Sequence, residues 1–102
     1  MKVTYLYDVS KFIESLEKHM FPRTMRVSLL LAEYGSYLRM PYSKRIYKDL
    51  YELRIRGEQE VRIFYTILGG EAFLVYGIIK KSNKIPRKDL EVAIHRIRSL
   101  NL

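Results

Sequence analysis

Residues 47–80 read YKDLYELRIR, GEQE, VRIFYTIL, GGE and AFLVYGIIK in succession, and this stretch decides the fold. Its three longer pieces, residues 47–56, 61–68 and 72–80, are rich in Tyr, Ile, Val, Phe and Leu with the two-residue period of strands. Between them, Gly57-Glu58-Gln59-Glu60 and Gly69-Gly70-Glu71 are turn material. The reading is two hairpins, hence a three-stranded antiparallel meander.

The register follows from the turns. A three-residue loop at Gly57-Glu58-Gln59 sets Arg56 opposite Glu60, Arg54 opposite Arg62 and Leu53 opposite Ile63. The same treatment of the second hairpin sets Leu68 opposite Ala72 and Arg62 opposite Ile78, with Lys80 near Glu60. One face then carries Leu53, Ile55, Ile63, Ile67, Val75 and Ile79. The other, expected to be open, carries Glu52, Arg54, Arg56, Arg62, Tyr76 and Lys80. Two arginines directly opposite each other destabilise a sheet by on the order of a few tenths of a kcal/mol or more. An anion bound between them gives the cluster a reason, because Arg offers a planar fork to two phosphate oxygens and Lys adds a compact charge. An ordinary charged ladder, with Glu52 and Glu60 neutralising the arginines, accounts for the same residues.

Upstream, Val3, Tyr5 and Tyr7 alternate with Thr4, Leu6 and Asp8, so residues 1–8 are expected to form a short strand. Asp8 or Ser10 then caps a helix with Phe12, Ile13, Leu16 and Met20 at helical spacing, and Pro22 ends it or opens the next. Val27, Leu30, Leu31 and Tyr34 predict a second helix, stopped by Gly35. The two should form an antiparallel pair. Residues 36–46 read as a loop. Downstream, Pro86 precedes a terminal amphipathic helix marked by Asp89, Leu90, Ala93, Ile94, Ile97 and Leu100. The expected class is α+β, in the order β-α-α-β-β-β-α, with the meander packed on the helix pair.

With 102 residues, 48% of them hydrophobic, the chain is expected to be one domain, 1–102, with one core. It has no cysteine, which excludes disulfides and thiolate metal sites and suits a reducing compartment. No stretch reaches the roughly 18 apolar residues that span a bilayer. The start, Met1-Lys2-Val3-Thr4-Tyr5 followed by Asp8, does not read as a signal peptide, so a cytoplasmic location is expected, with no membrane partner. A formal charge of +8 and a pI near 9.8 point to polyanions as partners. His19 and His95 have no neighbours at ligand spacing, so no metal site and no cofactor are expected.

The pieces Leu50-Tyr51-Glu52-Leu53-Arg54, Arg62-Ile63-Phe64-Tyr65 and Lys80-Lys81-Ser82-Asn83-Lys84-Ile85-Pro86 closely resemble motifs of the phage-derived, HigB-like toxins of the RelE/ParE superfamily. Leu38-Arg39-Met40-Pro41 with Lys44 resembles that family's loop after the second helix. The resemblance implies a RelE-like fold akin to microbial RNases, and a cytoplasmic toxin of a type II toxin–antitoxin pair. Such a toxin cleaves mRNA, often on the ribosome, and is held inactive by a cognate antitoxin of helix-turn-helix type. Two other readings stay open: a non-catalytic basic nucleic-acid-binding module, and a ParE-like toxin acting on DNA gyrase.

RNA cleavage of this kind needs no metal, since the ribose 2′-OH attacks its own phosphate. The protein must orient the nucleotide, neutralise the phosphorane, take one proton and give one. In that scheme Arg54 and Arg62 clamp the phosphate. Lys80 is the proton-transfer candidate, because cations crowded by other cations lose protons more easily. Lys81 belongs to the other face by register, so it twists in at the strand end or holds a neighbouring phosphate. Tyr76 stacks on a base or shares a proton. Tyr65 fits the family motif, although its register equally predicts core packing. Lys44, Lys48, Arg56 and Lys84 are candidate RNA-backbone contacts, or solvated surface charges.

Overall fold

A computed structural model describes residues 1–100. In chain order the elements are β1 (Lys2–Tyr5), α1 (Tyr7–Glu14), α2 (Met20–Tyr34), a 3-10 turn (Gly35–Tyr37), β2 (Ser43–Tyr47), β3 (Leu50–Ile55), β4 (Val61–Leu68), β5 (Glu71–Ile79) and α3 (Arg87–Leu100). The strands form one sheet in the order β1-β5-β4-β3-β2. The α+β class and the meander at its centre are as expected. The sheet is wider than predicted, because β1 adds parallel to β5 and β2 adds antiparallel to β3.

The stretch expected to be a loop therefore contains β2. Of its five residues only Ser43 is buried, so no apolar alternation marks it in the sequence. The first helix also differs. It starts at Tyr7 on a backbone cap at Leu6, without the side-chain cap assigned to Asp8 or Ser10, and ends at Glu14. Ser15 Oγ donates to the Phe12 carbonyl at 2.6 Å at that end. Leu16 is buried in the connection and Met20 opens α2, so their helical spacing was coincidental. Pro22 sits in the first turn of α2, where a missing N–H leaves no carbonyl unpaired.

The first hairpin has the predicted register, with Leu53 opposite Ile63 and Arg54 opposite Arg62. The second reaches its end differently. Gly69 and Gly70 adopt positive φ of 56° and 75°, so the turn has two residues and Leu68 faces Glu71, not Ala72. The pairing then shifts between Phe64 and Tyr65, where Val75 is the extra residue of β5. That bulge restores the pairing of Arg62 with Ile78. It also moves Val75 from the face predicted for it to the opposite one.

Both faces of the sheet are covered. α1 lies on β5 and α2 on β3, burying Val9, Ile13, Val27 and Leu31 against Leu53, Ile55, Ile63 and Leu74. The face expected to be open is covered over much of its length by α3, whose Ala93 and Ile97 pack on Leu50, Phe64, Val75 and Ile78. α3 stops short of the end of that face, where Arg54 and Lys80 line a cleft above the buried Arg62. Among the described residues no helix is long and apolar enough to cross a membrane.

Phe12 of α1 lies directly over Gly77, where a Cβ would stand 2.3 Å from Phe12 Cδ2. Gly77→Ala is expected to lower unfolding free energy in urea by about 1–3 kcal/mol, and adding Phe12→Leu should recover part of it. An unchanged urea midpoint in Gly77→Ala would contradict this packing.

Candidate functional site

The β3–β4 hairpin sets Arg54 and Arg62 side by side on the α3 face, with Glu52 two residues before Arg54 on the same face. Arg62 is only 2% exposed and Glu52 only 3%. One carboxylate oxygen, Glu52 Oε1, lies 3.6 Å from Arg54 Nε and 3.7 Å from Arg62 Nε. Arg62 Nη1 donates to Glu60 Oε2 at 3.2 Å and to the Val61 carbonyl at 3.1 Å. Arg56 Nε donates to the same Glu60 oxygen at 3.4 Å. Glu52 Oε2, Arg54 Nε and Arg62 Nε are buried without hydrogen-bond partners. The inner contacts are thus Coulombic pairs at distances too long for hydrogen bonds, which leaves desolvated donors uncompensated.

Above them opens a cleft of about 400 Å³, lined by Arg54, Arg56, Arg62 and Glu60 from the hairpin and by Lys80 to Asn83 from the loop after β5. The Lys80 N–H donates to the Glu60 carbonyl at 2.7 Å and ties that loop to the hairpin. Five formal cations meet two carboxylates, Glu60 in the wall and Glu52 beneath, an excess of three positive charges. Burial works to raise the Glu60 carboxyl, but the hydrogen bonds and charges of Arg62 and Arg56 outweigh it and hold it below its ordinary value of 4.5. The cleft therefore offers guanidinium and ammonium donors for an oxyanion, and one carboxylate kept ionised among them.

Of the residues singled out in the sequence, the structure brings together Arg54, Arg56, Arg62, Lys80 and Lys81. Lys81 joins because β5 ends at Ile79, so strand alternation no longer governs where it points. Tyr76 does not line the cleft. Its hydroxyl donates to Asp89 Oδ1 of α3 at 2.8 Å, and the Arg96 guanidinium lies 5.1 Å over its ring. Burial first, then that bond to a carboxylate, raises the phenol above its ordinary value of 10.0. Tyr65 lies in the core under the helix pair, 2% exposed, stacked on Tyr51 and sharing a 2.5 Å hydrogen bond with Ser43. Lys44 is exposed on β2 opposite Glu52, outside the cleft wall. Lys48 is at the β2–β3 turn with φ 45°, its ammonium 5.3 Å over the Tyr47 ring, beside Ile94 and Ile97 of α3. Lys84 is exposed beyond the cleft lip, its carbonyl bonded by Ser82.

The sequence reading gave Glu60 a neutralising part, which its bonds to Arg56 and Arg62 match, and named Ser82 and Asn83 within a motif without placing them in the site. The available signal was the Glu60-Val61-Arg62 spacing, which puts acid and base on one face of a strand. Among the described residues no group of three or more His, Cys, Asp or Glu is placed to hold a metal ion.

Because Arg62 depends on Glu52 for its buried charge, Glu52→Gln should destabilise the fold by about 3 kcal/mol. The double variant Glu52→Leu with Arg62→Leu, which removes both charges, should recover most of that loss. Urea unfolding of the two variants checks this, and a Glu52→Gln protein as stable as wild type would refute it.

No curated protein matches the chain. A family model described as phage derived protein Gp49-like matches residues 11–98, from the second half of α1 through nearly all of α3, and so includes every residue of the cleft. The chain belongs to this Gp49-like family, which is associated with the toxins of toxin–antitoxin systems.

Proposed function

We propose that the protein is the toxin of a type II toxin–antitoxin pair and acts as a HigB-like endoribonuclease that cuts mRNA, on the ribosome, to stop translation. The observation that carries this reading is the cleft itself: desolvated arginines under an excess of positive charge, with one ionised carboxylate in the wall. A phosphodiester fits that donor set, and an RNA strand brings its own nucleophile.

In this scheme Arg54 and Arg62 hold the non-bridging oxygens of the scissile phosphate. Glu60 takes the proton of the 2′-OH as its oxygen forms a bond to phosphorus. The bond from phosphorus to the 5′-oxygen breaks, and that oxygen takes a proton from the Lys80 ammonium. The products are a 2′,3′-cyclic phosphate and a 5′-hydroxyl, and solvent then takes the proton from Glu60 and gives one back to Lys80. Arg62 is held by Glu52, Glu60 and the Val61 carbonyl before substrate arrives and acts in a poorly solvated place. Lys81 holds a flanking phosphate. The site of action is the cytoplasm, and the partner that restrains it is a cognate antitoxin of helix-turn-helix type.

Inducing wild type is expected to arrest growth and create new mRNA ends. Lys80→Ala and Glu60→Gln should fold normally and do neither, each losing about a hundredfold or more in cleavage rate. Arrest with intact mRNA and broken DNA would move the assignment to a gyrase-directed toxin. Intact mRNA without arrest would leave a binding module.

The pH profile tests the base separately. Glu60 works only when ionised, and its carboxyl lies below 4.5, so activity should hold as pH falls to that value and drop only below it. Glu60→Gln should abolish this acid limb. An acid limb near neutral pH would assign the base elsewhere.

A further inference from the structure

Next to the cleft a second groove opens at the edge of the sheet. β2 begins its pairing at Ser43 opposite Leu53, and one residue further out the Tyr42 carbonyl accepts the Arg54 N–H at 2.8 Å. Ile55 and Arg56 run on past the start of β2, and α2 comes down beside them, with Arg23 Nη1 donating to the Arg56 carbonyl at 3.3 Å. The space between is about 200 Å³. Arg23 and Arg26 of α2 form one wall, Tyr42 another, and Arg54 and Arg56, which also line the cleft, are shared by the two spaces.

The chemistry of this groove differs from that of the cleft. Four arginines line it and no carboxylate does; Arg54 and Arg56 keep their pairs with Glu52 and Glu60 on the cleft side, and Arg23 and Arg26 have no such pair among the described residues. Arg23 and Arg26 are three residues apart, hence neighbours on the helix surface, and both are exposed. Tyr42 is 41% exposed, so part of its ring is free. Guanidinium groups in a row with an available aromatic face suit a single strand of nucleic acid, whose phosphates repeat and whose bases stack without regard to identity.

The geometry points to a second subsite for single-stranded RNA in this groove. It takes a nucleotide neighbouring the scissile one, with a phosphate between Arg23 and Arg26 and a base against the Tyr42 ring. The inference rests on the reading of the cleft as the RNA-cutting site, and extends it into a path that bends around the sheet edge onto α2.

Fluorescence anisotropy with labelled 2′-O-methyl RNA, which lacks the free nucleophile and stays intact, reads this directly on the full chain. A dinucleotide fills the cleft, and a hexanucleotide reaches both places. Arg26→Gln is expected to weaken hexanucleotide binding and to reduce its salt slope by about 0.7, the value for one phosphate contact on a single strand. Tyr42→Ala is expected to weaken hexanucleotide binding about tenfold or more through lost stacking. Neither should change dinucleotide binding, and Arg98→Gln, at the far end of α3, should change neither length. Equal losses for both lengths, an equal loss in Arg98→Gln, or hexanucleotide binding that ignores Arg26 and Tyr42 would overturn the subsite. Lys80→Gln reports on the cleft, since it should weaken both lengths. A hexanucleotide that responds to Arg26→Gln and not to Lys80→Gln would overturn the cleft reading while the groove stands, and wild-type protein that binds neither length would overturn both.

Discussion

One buried carboxylate, Glu52, holds the site in place. Arg62 is enclosed on a central strand, where an unpaired charge would be prohibitively costly, and Glu52 answers it from the next strand while also facing Arg54. An exposed arginine has about 2 kcal/mol of rotamer entropy to lose when it grips a ligand. Arg62 has lost that freedom on folding, its guanidinium held by Glu52, Glu60 and the Val61 carbonyl. The pairs beneath the cleft are long enough that the nitrogens nearest Glu52 make no hydrogen bond. The apolar layer under α1 and α2 fixes the hairpin from one side, and α3 seals the other side up to the margin of the cleft.

Much of this was legible in residues 47–80. The Arg54–Arg62 pairing could be read because two well-alternating strands flank a polar turn, so few registers bury the apolar side chains. The Arg62–Ile78 pairing was read through two offsetting differences, a shorter turn at Gly69-Gly70 and an extra residue at Val75. A bulge of that sort leaves no mark in hydrophobic period. Strand β2 escaped notice because an exposed edge strand has little to bury. The apolar stripe of α3 was plain, but which face of the sheet it would cover is set by tertiary packing and not by the helix.

The candidate site was legible where charge alone locates it, and illegible where partners decide. Arg54, Arg62 and Lys80 repel one another unless an anion or a carboxylate intervenes, and that tension is visible in a register diagram. Tyr76 shares their face by register, yet Asp89 and Arg96 of the helix that follows β5 draw it under α3. Tyr65 is likewise explained by Ser43 and Tyr51, which complete a small polar and aromatic contact inside the core. Glu60 gains its character from Arg62, two residues along the chain, and from Arg56, which the hairpin turn brings across to it.

The parallel pairing of β1 with β5 has a consequence for how the molecule is made. Lys2 lies opposite Glu71, so the first strand to leave the ribosome waits for the fifth before it has a neighbour in the sheet. Pairing such remote segments carries a larger loop-closure entropy than closing either hairpin. Lys80 and Lys81 follow immediately after β5. A nascent chain halted within the meander therefore lacks both the closing strand and the lysine wall of the cleft. The polypeptide acquires its full complement of cleft cations only after every strand of its sheet has been synthesised.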